Sequence, residues 1–290
     1  MSNQKQLSMP MALKIDHVTI AGSKLASLEQ AFANLGLATE YGGPHSNNVT
    51  HMAFLGFVDG SYIELISAIE GISAKAHAFW DKHIADDGGP CAWAVQVDDV
   101  AAETARVAEL GIHVEGPAYY SRRRPDHSVV EWDLAFLGGQ GAGARLPFII
   151  KDITPRELRV RPADSVADGL LTGVAKVVLG VADLEASIRL FQLVYGWPEP
   201  YIDDHPDFGA ELADFEGSPV TLATPLPGHA WLSDRLARYG ESPCAFLLGA
   251  RDFTEARQRY QLVQSSGWFK HQVAWFDPAQ LKETKLGVIG

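Results

Sequence analysis

KIDHVTIAGSKLASLEQAFANLGL, residues 14–37, decides the fold once it is set beside GVAKVVLGVADLEASIRLFQLVYGW, residues 173–197. Both open with an alternating apolar strand, pass a short polar turn and enter an amphipathic helix whose apolar residues recur at three and four. Gly36 and Gly196 close the helices, where a left-handed C-cap suits a residue without a side chain. A second pair, CAWAVQVDDVAAETARVAELGI at 91–112 and CAFLLGARDFTEARQRYQLVQSSGW at 244–268, repeats strand, acidic turn, helix and glycine. Self-similarity of this kind marks a repeated supersecondary unit.

The four starts, near 14, 91, 173 and 244, lie about 70 to 80 residues apart, room for a strand, a helix and three further strands. After the first helix, ATEYG, VTHMAFLGFV and SYIELISAI have β character, separated by the turn-forming GGPHSN and DGS. HVEGPAYY, SVVEWDLAFLG and RLPFIIKDI take the same parts in the second unit, a strand from near Ser218 closes the third, and KLGVIG ends a clipped fourth. The repeats therefore predict a duplicated α+β chain of four βαβββ modules at 13–70, 90–155, 171–226 and 243–290, paired into domains 13–155 and 170–290. TPRELRVRPADSVADGLLT at 154–172, with two prolines and many charges but no clear period, reads as the connector. Gly71 to Pro90 reads as a helix and loop between the first two modules, and GGQGAG at 138–143 as a flexible hairpin tip.

With 47% hydrophobic and 21% charged residues, the 290-residue chain has an ordinary globular composition. A formal charge of −12 supplies no basic field for nucleic acid or an anionic membrane. No apolar run approaches the roughly 18 residues of a membrane span, the opening MSNQKQLSMPMALK lacks a signal-peptide core, and a cytoplasmic location is expected. Cys91 and Cys244 are too few for a disulfide framework and read as small buried hydrophobes. Nucleophile-elbow, P-loop and dinucleotide signatures are absent. His77 and His83 are six apart, not the one-turn spacing of a helical metal pair, and are expected to face solvent.

Paired βαβββ units resemble the vicinal oxygen chelate superfamily. KIDHVTIAGSKLASL, GGPHSNNVTHMAFLGFVDGSYIELI and SRRRPDHSVVEWDLAF resemble its glyoxalase-like domain family, with Asp126-His127 standing where Asp-Gly is usual. The resemblance implies that each domain is a curved mixed sheet around a cup, helices outside, and that the first and fourth strands of a module are neighbours. His17, read as sharing a strand face with Ile15 and Thr19, would then meet Glu64 of YIELI. A carboxylate in so apolar a strand is costly to bury unless a cation or hydrogen bonds compensate. His17 and Glu64 either pair with each other or hold a divalent ion of the Zn, Mn, Fe, Co or Ni type, with His51 as third ligand; Glu64 or His51 is the candidate catalytic base. Period two leaves His51 free to face either way.

Arg124, Trp132, Tyr120 and His45 are the candidate substrate-binding residues, within a cationic and aromatic segment that also contains Tyr119, Arg122 and Arg123. Relatives complete the cup from the paired module, but here the matching positions offer Cys91, Ala92, Trp93, Phe148, Ile149 and Ile150. Lys176 stands for His17 in the third module and Leu222 roughly for Glu64, so the second domain is expected to lack a metal site and to serve as a wall or a homodimer surface. Trp80, Trp197, Trp231, Trp268 and Trp275 are read as packing residues. The function implied is a metal-dependent isomerase, lyase or ring-opening enzyme acting on a small oxygenated, anionic molecule. Two alternatives stand beside it, a non-catalytic small-molecule binding protein of the same fold and an extradiol dioxygenase.

Overall fold

A computed structural model describes residues 11–73, 75, 80–139 and 144–290; His77 and the glycine-rich tip at 140–143 lie outside the described residues. Four βαβββ modules follow one another. The first comprises β1 (Lys14–Ala21), α1 (Leu25–Asn34), β2 (Glu40–Pro44), β3 (Thr50–Gly56) and β4 (Tyr62–Ala68), and after α2 (Asp81–Ala85) the second comprises β5 (Gly89–Gln96), α3 (Val100–Glu109), β6 (Val114–Arg123), β7 (Val129–Leu137) and β8 (Phe148–Asp152). α4 (Arg156–Arg159) lies in the connector. The third module runs through β9 (Leu171–Gly180), α5 (Leu184–Tyr195), β10 (Tyr201–His205), β11 (Ala210–Asp214) and β12 (Val220–Pro225). After α6 (Ala230–Tyr239) the fourth has β13 (Ser242–Ala250), α7 (Phe253–Arg259), β14 (Val263–Trp268), β15 (His271–Trp275) and β16 (Leu286–Ile289).

The acidic turns have a structural reason. Asp99, Asp183 and Asp252 sit at the N-caps of α3, α5 and α7, and each side chain accepts the backbone N–H three residues on, from Ala102, Ala186 and Glu255. Gly196 ends α5 at φ 66, the left-handed conformation its place in the sequence predicts.

Two eight-stranded sheets result, ordered β2-β3-β4-β1-β5-β8-β7-β6 and β10-β11-β12-β9-β13-β16-β15-β14. The order explains how a site forms. Within a module the first strand runs parallel to the fourth, His17 opposite Tyr62, and the two modules of a sheet meet where β1 lies antiparallel to β5. Alternate residues then divide between two faces: Val18, Ile20, Ile63 and Leu65 pack with Leu28 and Phe32 of α1, whereas His17, Tyr62 and Glu64 point into the concave side. The helix-side cluster runs on through Val177, Leu179, Phe191 and Phe246, so the two halves share one apolar core.

Ile15 does not share the face of His17. The β1–β5 register shifts between Ile15 and His17, which turns Ile15 into the helix-side core and leaves Asp16 and His17 side by side beneath the cup. His83 is buried at 7% exposure and stacks on Tyr239 at 4.3 Å, not in solvent, because α2 packs against α6. His127, in the place of the usual glycine, adopts φ 68. No helix among the described residues is long and apolar enough to cross a membrane.

Candidate functional site

The concave side of the first sheet encloses a cavity of about 310 Å³, at the small end of ligand pockets. Its two halves differ in chemistry. The first module contributes His17, His45, Tyr62 and Glu64, whereas the second contributes an apolar wall of Leu134, Phe136, Phe148 and Ile150 beside Tyr120, Arg122 and Trp132.

Glu64, 7% exposed, lies between two imidazoles, with Oε2 3.8 Å from His17 Nε2 and Oε1 3.5 Å from His45 Nε2. His17 is oriented from behind, since its Nδ1 donates to Asp16 Oδ1 at 2.6 Å and its ring stacks on Tyr62 at 4.6 Å. A carboxylate accepts only, so the Nδ1–H tautomer is fixed and the Nε2 lone pair faces the Glu64 carboxylate. At 3.8 Å no ordinary hydrogen bond joins them, and two electron-rich groups facing each other call for a cation in the gap, either a proton or a metal ion. His45 is held in turn by Thr50, with Nδ1 2.8 Å from Oγ1.

Asp16 is fully buried, and the connector helix compensates it. Arg159 donates to Asp16 at 3.0 and 2.7 Å, Arg156 at 2.5 Å, and both also bond Asp152. Burial alone would raise the Asp16 pKa, but Arg159 and His17 outweigh it and hold the carboxyl well below its usual range. Arg159 further donates to the Tyr62 hydroxyl at 3.0 Å and lies 5.9 Å from the Trp132 ring. Sequence reading missed Asp16, Arg156 and Arg159. The available signal was RELR at 156–159, two arginines at helical spacing three apart, both directed at one carboxylate pair.

Of the predicted residues, His17, Glu64, His45, Tyr120 and Trp132 come together around the cavity. Two do not. His51 lies on the face of β3 opposite Met52 and Phe54, its ring 6.0 Å from Tyr41, because Met52 takes the cup-facing position of the alternation. Arg124 lies past the end of β6 and is spent on the Leu158 carbonyl at 2.6 Å and Glu40 at 2.7 Å. Arg122 enters the cup instead, 5% exposed and resting on the Met52 sulfur. Gly42 of β2 makes room for it, since a Cβ there would lie 2.2 Å from Arg122 Nη1.

The corresponding positions of the second sheet are occupied differently. Lys176 bonds Asp214 at 2.6 Å, and Thr221 donates to the same carboxylate at 2.6 Å. The register pairs Thr221 with Val178 as it pairs Glu64 with Thr19, so Thr221, not Leu222, takes the Glu64 position. Phe208, Trp268 and Trp275 fill the concavity.

A curved βαβββ pair with a His–Glu face on its first and fourth strands defines the vicinal oxygen chelate fold. Residues 15–194 match the Glyoxalase-like domain, and the chain belongs to that family. Among solved structures it is similar to a hypothetical protein from Staphylococcus aureus, at 13% identity over 95% of this chain and 98% of that one, with a TM-score of 0.64. A mutant 4-hydroxymandelate synthase from Streptomyces coelicolor matches at 10% identity, TM-score 0.59, over 97% and 93% of the two chains. A xylose isomerase-like TIM barrel/4-hydroxyphenylpyruvate dioxygenase fusion protein matches at 13% identity and TM-score 0.59; all of this chain aligns, with 51% of that one. At these identities the likeness establishes the fold alone. No curated protein matches the sequence.

The fold family implies a divalent ion. Two imidazole nitrogens and a carboxylate, one imidazole fixed by a buried Asp, have the right donor chemistry. Among the described residues, however, no three His, Cys, Asp or Glu side chains already stand close enough to hold one together. Two donors about 2.1 Å from one tetrahedral ion lie about 3.4 Å apart, so the 3.5 Å pair already has that spacing and the 3.8 Å pair would have to close by about 0.4 Å.

Proposed function

We propose that this protein is a metal-dependent glyoxalase-like enzyme that moves a proton on, isomerises, cleaves or ring-opens a small oxygenated organic anion in the first cup. One observation carries the reading: the Glu64 carboxylate lies between the Nε2 atoms of His17 and His45, with the tautomer of His17 fixed by Asp16.

His17, His45 and Glu64 would hold the ion, whose chemistry is that of a Lewis acid for adjacent substrate oxygens. Asp16, locked by Arg159 and Arg156, keeps the His17 ring in place and aimed at the cavity. Glu64 or His45, when not engaged as a ligand, is the group positioned to take a proton from a substrate carbon or hydroxyl. The wall of Leu134, Phe136, Phe148 and Ile150 limits water around the reacting atoms.

The second module's lack of metal ligands supports one other reading, a binding protein of the same fold without catalysis, because Cys91, Ala92 and Phe148 offer no hard ligand where the first module has His17 and Glu64. Elemental mass spectrometry on protein purified without tag or chelator separates the two. Stoichiometric Zn, Mn, Fe, Co or Ni in the wild type, lost in Glu64→Ala and His17→Ala, is the expected result. A metal-free wild type that takes up none of these ions on titration would leave the binding reading.

A further inference from the structure

We propose that the cup selects a small monocarboxylate with an apolar body, and that Arg122 is the residue that reads its charge. The proposal rests on the first cup being the ligand site and extends that reading to the ligand's chemical class.

Arg122 forms no ion pair in the cup, although the Glu64 charge acts on it from beyond contact distance. The residue is 5% exposed, and among the described residues it forms no ion pair with an Asp or Glu within 4.0 Å, its hydrogen-bonding contact being the soft Met52 sulfur. A buried charge is strongly disfavoured without a partner, so a structural role would be served better by an apolar side chain of the same length. The other arginine of the cavity is committed, because Arg159 is bonded to Asp16 and Asp152. Glu64 is turned toward His17 and His45, with each oxygen facing one ring.

Arg122 reaches the cavity lining at the seam between the edge strands β2 and β6. Gly42 packs directly on both side chains, since a Cβ there would sit 2.1 Å from Met52 Sδ and 2.2 Å from Arg122 Nη1. A planar guanidinium presents paired N–H groups that match a carboxylate in two-point contact.

One guanidinium without an ion pair matches one carboxylate, and the Glu64 carboxylate lining the same cavity adds like-charge repulsion that disfavours a ligand with more than one. The rest of the ligand faces Leu134, Phe136, Phe148 and Ile150, none of which offers a side-chain hydrogen bond. A volume of about 310 Å³ suits a ring or short branched chain.

Calorimetric titration with benzoate, phenylacetate and cyclohexanecarboxylate, each beside its neutral amide, tests this on the full-length protein. At least one carboxylate is expected to bind at millimolar concentration or better, more tightly than its amide, with binding roughly 10- to 100-fold weaker in Arg122→Met. Arg122→Met replaces a buried charge with an apolar chain of similar length and is expected to fold; Arg122→Lys, which keeps the charge without the paired N–H groups, should fall between the two. Equal affinity for acid and amide, no binding by any of the three acids, or unchanged affinity in both variants would overturn the proposal. Metal content and turnover do not enter this readout. A metal-free, inactive protein that binds carboxylate through Arg122 would sink the catalytic reading alone, and a metalloprotein whose carboxylate affinity ignores Arg122 would sink this one alone.

Discussion

Asp16 shows how one side chain governs the chemistry of another. It occupies a strand position that regular alternation would give to the face opposite His17, and the register shift at Ile15 brings it beside the ring. Asp16→Asn should leave the Arg159 guanidinium sharing only Asp152, at a cost of about 3 kcal/mol in urea unfolding. It should also free the His17 ring and weaken metal binding roughly 10- to 100-fold. Unchanged metal affinity in a folded Asp16→Asn protein would remove Asp16 from the site. Legibility at this scale was uneven for a physical reason. A buried Glu in YIELI and a His in a central strand were visible because apolar strands tolerate such groups only with compensation. The face of His51 was not, because period two has two phases, and Arg122 and Arg124 share one phase, so that only the end of β6 at Arg123 separates their fates.

At the scale of the element, the strand-turn-helix unit was the most readable part of the chain, since three of its four copies place an Asp where a helix needs an N-cap. α1 is the exception. Lys24 holds cap-like backbone angles, φ −139 and ψ 119, but provides no side-chain cap. Lys24→Asp should therefore supply the missing acceptor and raise stability by about 1 kcal/mol, read as a higher denaturant midpoint with an unchanged slope. A lower midpoint would mean that the lysine serves α1 in some way the cap geometry does not account for. The connector was the least readable element. Its prolines and charges mark a boundary correctly, yet the four residues of α4 send Arg156 and Arg159 back under the first cup, a long-range pairing that leaves only two arginines three apart as its trace. Interactions between residues some 140 positions apart leave no period in a sequence.

For the whole molecule, duplication was legible and divergence only partly so. Lys176 in place of His17 showed that the second half carries no imidazole at that position, but the filling of its concavity by Phe208, Trp268 and Trp275 depends on three-dimensional packing, including Gly287, whose missing side chain leaves space for Trp275. The contact between the halves was hidden for the same reason. His83 of α2 stacks on Tyr239 of α6, Asp86 pairs with Arg238 at 2.9 Å, and Asp87 with Lys282 at 3.0 Å. Burial, reinforced by the nearby Arg235, lowers the His83 pKa to about 3. In the unfolded chain the same imidazole titrates near 6.5, so between these values the unfolded state binds a proton that the folded state refuses. The sign follows directly: His83 leaves stability intact above about pH 6.5 and erodes it as the pH falls toward 3, by up to about 1.4 kcal/mol per pH unit. His83→Phe keeps a ring against Tyr239 and removes the titration. Urea unfolding between about pH 7.5 and pH 4.5 should show the wild type losing stability relative to the variant at up to that slope below about pH 6.5. Parallel pH profiles for the two proteins would mean that this ring is protonated at the interface, and that the two halves are not held together around a neutral histidine.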